Sequence, residues 1–253
     1  MSFAVIGKYD SAVSTHVPGN DVVPNLINAG ERVIEIDNLK YASVFVDRFE
    51  EAMQHYETRS TYASEMGRKL AVEVDKAIIA ILDSAAAGTA NDGDVNGDEG
   101  QPAAQTAVSI LTAAATGNAA KGDLILAALF NAQTAMDEDD IPGERYVVMS
   151  PKNYNRLVQS GAVNKDMTSG DNGGLDTGKI NTVAGHRITV SNNVGTNAIY
   201  MFTSECVGVV KLLDVKTEAE YQIQKQGTLM VSSYAMGFGI LNNGCVVKLS
   251  TND

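Results

Sequence analysis

At 253 residues, the chain is long enough for one large domain or two small ones with a real core. Its 44% hydrophobic and 20% charged side chains are those of an ordinary soluble protein. The 31 acidic against 19 basic side chains leave a net charge of −12, which excludes a protein that wraps nucleic acid by neutralising phosphates and one held on an anionic membrane surface.

The first 38 residues hold two strand-like pieces, FAVIGKY and ERVIEID, separated by a polar stretch with Pro18, Gly19, Pro24 and Gly30. In the second piece Val33, Ile34 and Ile36 alternate with Glu31, Arg32, Glu35 and Asp37. Two strands joined without an amphipathic helix between them form a projecting β arm. Such an arm is marginal unless something else packs on it, which points to a partner chain. Val13, Val17, Val22 and Val23 are the apolar residues it offers to a neighbouring subunit.

A short acidic segment opens at Asp47, and from about Arg59 to Ala87 the sequence predicts one long amphipathic helix. Ala63, Met66, Leu70, Val74, Ala77, Ile78, Ile81 and Ala85 fall at three- and four-residue steps and line one face. Glu65, Arg68, Lys69, Glu73 and Lys76 occupy the other. Gly67 costs ~1 kcal/mol in a helix interior, and its presence predicts a close approach by another backbone. A helix of roughly 27 residues spans about 40 Å, so it is expected to lie as a strut across a sheet or a neighbouring subunit.

An acidic, glycine-rich surface loop follows, with DGDVNGDEG at its centre. A second helix is predicted from Asp123, as N-cap, to about Met136, ending in the acids Asp137 to Asp140. RYVVM reads as a buried strand. Ser150-Pro151 opens a short helix with Tyr154, Leu157 and Val158 inward and Gly161 at its end. Residues 162–179 read as a loop. HRITV, NAIYMFTS, CVGVVKLL, TEAEYQIQ, TLMVSSYAMGFG and CVVKLS then read as separate strands, which makes the class α+β.

Chemistry is sparse. His16, His55 and His186 lie on three different elements, and no nucleophile elbow accompanies them. They read as surface or interface histidines. Cys206 and Cys245 sit in apolar strands as buried thiols. The run Gly173 to Lys179 has the spacing of a P-loop, but Ile180 follows where Ser or Thr must ligate Mg²⁺, and no buried strand leads in. Asp92, Asp94 and Asn96 imitate the first ligands of an EF-hand, the weak metal candidates of the chain. Ala103 stands where the loop needs a bidentate Glu, so a solvated acidic loop is the better reading. No catalytic residue and no cofactor follow from these patterns. No signal peptide is visible and no apolar run approaches the ~18 residues of a membrane span, so a soluble protein made in a cytoplasm is expected. A small acidic enzyme and a Ca²⁺-binding module built on Asp92 to Asp98 are the alternatives from other classes.

Glu50-Glu51-Ala52-Met53-Gln54-His55-Tyr56, Arg59-Ser60, Tyr62 and Tyr234-Ala235-Met236-Gly237-Phe238-Gly239 carry a resemblance. The sequence resembles the major capsid proteins of short-tailed bacteriophages of the autographivirus type. It does so over almost the whole chain, most closely over 33–76, 145–158 and 209–247. That family has the Johnson fold of tailed-phage and herpesvirus capsids. The resemblance implies an E-loop over 1–37, a peripheral domain with the spine helix over 38–117 and an axial domain over 118–213. It also implies a peripheral β-hairpin over 214–236 and C-terminal strands returning to the axial domain over 237–253. Met66, Leu70, Val74, Ile78 and Ile81 become the core face of the spine, and Asn172 and Asp176 lie in the loop near the capsomer axis. Family members usually carry an arm before the E-loop, whereas Met1 here falls almost inside that loop, as expected of either an incomplete sequence or a minimal coat protein.

The function implied is a coat protein that assembles in the host bacterial cytoplasm into hexamers and pentamers of an icosahedral head. It would catalyse nothing, enclose double-stranded DNA without binding it tightly, and engage scaffolding, portal and decoration proteins.

Overall fold

The computed structural model describes residues 1–6, 15, 18–19, 21, 29–36, 38–53, 58–87, 108–110, 115–160 and 182–252. In chain order the elements are β1 (Ser2–Ile6), β2 (Ala29–Val33), β3 (Lys40–Asp47), α1 (Arg48–Met53), α2 (Thr58–Ala86) and β4 (Val108–Ile110). Then come α3 (Asn118–Glu138), β5 (Arg145–Met149), α4 (Pro151–Val158), β6 (Thr182–Val183), β7 (His186–Val190), β8 (Ala198–Thr203), β9 (Val207–Gln222), β10 (Gly227–Ile240) and β11 (Val246–Thr251). Helices and sheets are both present, as an α+β chain requires. They form two units, one of Met1, 34–80 and 208–239, the other of 2–33, 81–207 and 240–253.

The first unit is a three-stranded sheet in the order β3-β10-β9 with α1 and the first six turns of α2. β3 pairs antiparallel with β10, Lys40 opposite Tyr234 and Asp47 opposite Gly227. Sequence reading passes over β3, although its alternation is regular: Ala42, Val44 and Val46 face inward while Tyr41, Ser43 and Phe45 face out. Val46, Met230 and Met66 of α2 form the core here, with Ala42, Val44, Tyr62 and Ala63 packed around them. A 29-residue α2 is roughly 44 Å long at 1.5 Å per residue. Of the expected stripe, Met66 and Leu70 are buried, and Val74, Ile78 and Ile81 are half-buried. Gly67 departs from expectation: a Cβ added there meets nothing within 4 Å of the described chain.

The glycines of the Tyr234–Gly239 motif have a clear reason. A Cβ at Gly237 would come within 2.4 Å of the Glu35 carbonyl oxygen, and one at Gly239 within 2.6 Å of the Ile34 side chain. Ile34 is buried and exchanges backbone hydrogen bonds with Met1, the Met1 amine donating to its carbonyl at 2.9 Å. The regular strand therefore ends at Val33, not at Asp37, because Ile34 to Ile36 cross β10 where it lacks side chains.

The second unit is built on a six-stranded mixed sheet, order β4-β11-β8-β5-β7-β6. β11 and β5 flank β8 antiparallel, while β4 runs parallel to β11 and β7 parallel to β5. Ile199 and Met201 of β8, Val147 and Met149 of β5, and Val247 and Leu249 of β11 are buried. A continuous apolar run such as AIYMF fits a central strand covered on both faces. β1 pairs antiparallel with β2, Ser2 opposite Val33 and Ile6 opposite Ala29.

Three boundaries differ from the sequence reading. α3 begins five residues before Asp123, with Gly117 at φ 98° as its cap and no side-chain cap hydrogen bond. Gly122 hides that start because glycine reads as a helix breaker. In α4, Pro151 sits at the first position, but Ser150 Oγ is buried and makes no cap bond. The buried face of α4 is Asn153, Arg156 and Leu157, with Tyr154 and Val158 only half-buried. Most of CVGVVKLL and TEAEYQIQ is one strand, the 16-residue β9, with Cys206 before it and Ile223 and Gln224 in the turn after it. No glycine or proline interrupts Asp214-Val215-Lys216, so the extended backbone runs straight through.

Candidate functional site

Among the described residues the features that stand out are struts, ties and uncovered apolar surface. Cys206 and Cys245 are free and buried, and burial pushes the Cys206 thiol up to about 12, far from nucleophilic thiolate. His186 is held below the usual histidine range, first by burial and then by the nearby Arg145 guanidinium. Among the described residues no group of His, Cys, Asp and Glu is placed to hold a metal ion, and no helix is long and apolar enough to cross a membrane. A depression of about 700 Å³ lined by Glu144, Thr182, Gly185, Arg187, Ile188, Thr189 and Val190 lies open along the β6–β7 edge. The metal candidates Asp92, Asp94 and Asn96 and the P-loop-like run lie outside the described residues. So do the assembly candidates Val13, Val17, Val22, Val23, Asn172 and Asp176, and His16 and His55.

What is well built is the frame. In the first unit Glu51 of α1 meets Arg59 of α2, Oε1 to Nε at 2.6 Å and Oε2 to a terminal nitrogen at 2.7 Å. Arg59 also donates to Thr228 Oγ1 of β10 at 3.4 Å. Glu51 and Arg59 are thus a fork pair that fixes one helix against the next. In the second unit Arg145 of β5 is buried and reaches Asp137 Oδ1 of α3 at 2.5 Å. The acids after Met136 are partly offset by that cation. Asp123, read as a cap, instead accepts from Ser160 Oγ at 2.5 Å just past α4.

The end of α2 is tied to the large sheet by a three-residue cluster. Tyr200 and Lys248 are directly opposite on β8 and β11. Both donate to Asp83 Oδ1, at 2.8 Å and 2.5 Å. The Lys248 hydrogen bond holds the Asp83 carboxyl below the usual range; burial opposes it and Tyr200 adds to it. Burial, then Asp83, keeps the Tyr200 phenol protonated well above its ordinary value. A depressed folded pKa contributes stability that is complete above the unfolded value of about 4 and is lost as pH falls through the folded value. Asp83 is half exposed, so the pair is expected to contribute no more than about 1 kcal/mol. Asp83→Asn should therefore lower the thermal midpoint at neutral pH and cost progressively less below pH ~4. An equal deficit at pH 7 and at pH 3 in calorimetry would mean the charge contributes nothing.

Large apolar side chains are left uncovered on several elements. Phe49 and Ile223 are 71% and 75% exposed. Arg48 N–H donates to the Gln226 carbonyl at 3.1 Å, which brings α1 beside the turn that carries Ile223. Leu212, Leu213 and Val215 of β9 and Phe130 of α3 are also exposed. Isolated exposed apolar residues are ordinary, whereas clusters on a rigid frame mark protein interfaces. Composition alone hides them, because exposure depends on which strand ends up at a sheet edge.

Comparison with known proteins agrees with this reading. The profile of the Gp10A-like family, described as major capsid protein, matches residues 2–206 and 199–250. The chain is similar to the major capsid protein of Escherichia phage T7, 28% identical over 273 aligned positions that cover 94% of this chain and 78% of that protein. It is similar in structure to the capsid of the cyanophage P-SCSP1u, with 30% identity, TM-score 0.82, and coverage of 100% of this chain and 83% of that one. The bacteriophage PhiM1 mature capsid, 14% identical, matches all of this chain and 82% of its own at TM-score 0.77, which is a likeness of fold. The architecture is the Johnson fold.

Proposed function

The chain belongs to the Gp10A-like major capsid protein family, and we propose that it assembles with copies of itself into hexamers and pentamers of an icosahedral phage head. The observation that carries this is the family match over residues 2–206 and 199–250, joined to a capsid structure superposing on the whole chain. The role is structural, with no reaction catalysed. The frame of the Glu51–Arg59 fork pair and the ties made by Arg145 and by Asp83 suits a subunit that must hold its shape against many neighbours. Residues 1–37 act as the E-loop, α2 as the spine, β9 and β10 as the peripheral hairpin, and most of 118–213 with β11 as the axial domain. The shell encloses double-stranded DNA by indifference, since a net charge of −12 supplies few phosphate contacts. Scaffolding, portal and decoration proteins are its further partners, and assembly takes place in the host cytoplasm.

Expression of the chain followed by electron microscopy and light scattering tests the reading, with closed shells as the expected product. Residues 7–28 connect β1 to β2, and their apolar members Val13, Val17, Val22 and Val23 are assigned to the neighbouring subunit. Replacing 11–28 by a short glycine-serine linker should leave a folded, soluble subunit that forms no shells. Normal shells from that deletion would remove the E-loop from the assembly contacts.

A further inference from the structure

β9 is an outer strand of its three-stranded sheet, and every residue from Lys211 to Tyr221 is exposed. Edge strands avoid pairing by being short, bulged, broken by proline, covered or charged. β9 is 16 residues long, and neither glycine nor proline occurs between Val209 and Gln222. It alternates strictly: Leu213, Val215, Thr217, Ala219 and Tyr221 on one face, Asp214, Lys216, Glu218 and Glu220 on the other. Thr217 Oγ1 lies 2.7 Å from Ser232 Oγ, which is buried on β10. The uncharged face of β9 is therefore the one flush with the buried face of β10, yet Val215 remains 48% exposed. A side-chain contact that short is typical of a non-hydrogen-bonded pair, which turns the backbone groups of the odd-numbered residues to the free edge.

We propose that β9 pairs antiparallel with β9 of a second copy of this chain about a two-fold axis at Val215, joining two three-stranded sheets into one. The proposal rests on the shell reading above, because a shell of one chain needs two-fold contacts between its rings. Charge selects the register. Residues directly opposite across such an axis share a face, so each register is centred on a residue. Centring on Asp214, Lys216 or Glu218 sets that charge against its own copy. Centring on Thr217 opposes Asp214 to Glu220, and centring on Ala219 opposes Glu218 to Glu220. Centring on Leu213 gives Asp214 and Lys216 only apolar partners, Leu212 and Val210. Centring on Val215 sets Asp214 opposite Lys216 twice, with Leu213 against Thr217, Val209 against Tyr221, and no like charges opposed. Lys216 Nζ already lies 2.5 Å from Glu218 Oε1 on the same face, so the second copy's Asp214 gives it a carboxylate on either side.

The test is Val215→Cys in the full chain, with Glu220→Cys as control, oxidised or treated with a short bismaleimide after assembly. Cys206 and Cys245 are buried and stay silent. Val215→Cys should give at least about tenfold more cross-linked dimer on denaturing gels than the control, because only position 215 faces its own copy in this register. Asp214→Lys alone and Lys216→Asp alone should each cut shell yield about tenfold, and the two together should restore it to within about twofold. Shells without the Val215→Cys dimer, or equal dimer from both cysteine variants, overturn the pairing and leave the shell reading standing. Dimer without shells from the parent chain keeps the pairing and overturns the shell reading. Protection of β9 amides from hydrogen exchange without the dimer means that another segment occupies the edge, which also overturns the pairing.

Discussion

Leu70→Asp is expected to give aggregate or no soluble protein. Leu70 is 5% exposed and lies one helical turn beyond Met66, which packs on Val46 and Met230. An aspartate there would sit on the buried apolar face of α2, and an uncompensated charge in such a site costs several kcal/mol. A domain's whole stability is about 5–15 kcal/mol, so the substitution consumes much of the margin. Lys69→Ala, next along the chain but exposed, should change stability by less than about 0.5 kcal/mol. Soluble yield and urea midpoints separate the two. A Leu70→Asp protein that is soluble with an unchanged midpoint would mean that α2 buries a different face.

That face is legible because a helical stripe is a local pattern: spacing alone aligns Met66 with Leu70. The same logic finds β5, β7, β8 and β11, whose apolar runs need no knowledge of their partners. It passes over β3, where the exposed Tyr41 and Phe45 make the outer face as apolar as the inner and blur the alternation. It splits β9, because Asp214 and Lys216 resemble a turn unless the strand is known to lie at an edge with one face in water. Buried polar residues are the hardest to foresee. Asn153 donates to the Thr196 carbonyl at 3.0 Å and accepts from Arg156 at 3.4 Å, the first of these set by a segment distant in sequence. The Asp83–Tyr200–Lys248 cluster is invisible for the same reason, with Tyr200 and Lys248 standing 117 and 165 residues from Asp83. The family resemblance supplies what periodicity lacks, namely an order for the elements.

Two glycines in helices are expected to respond to alanine with opposite signs. On propensity alone, Gly→Ala in a helix interior gains up to about 1 kcal/mol. Gly67 in α2 has nothing within 4 Å of an added Cβ, so Gly67→Ala should realise most of that gain in the isolated subunit. At Gly122 in α3 the added Cβ would lie 2.1 Å from the Arg156 carbonyl oxygen, 2.8 Å from its carbon and 3.0 Å from Ser160 Cβ. Two of those atoms are backbone, so no rotamer change relieves the clash and α4 must move as a body. Moving it strains the Ser160–Asp123 hydrogen bond and the buried Asn153–Thr196 contact together. Overpacking of this kind costs about 1–3 kcal/mol, occasionally more, and it outweighs the propensity gain. Gly122→Ala should therefore unfold at lower urea than the parent and Gly67→Ala at higher. If both variants moved the midpoint upward, α3 and α4 would not be in the close contact that Gly122 permits.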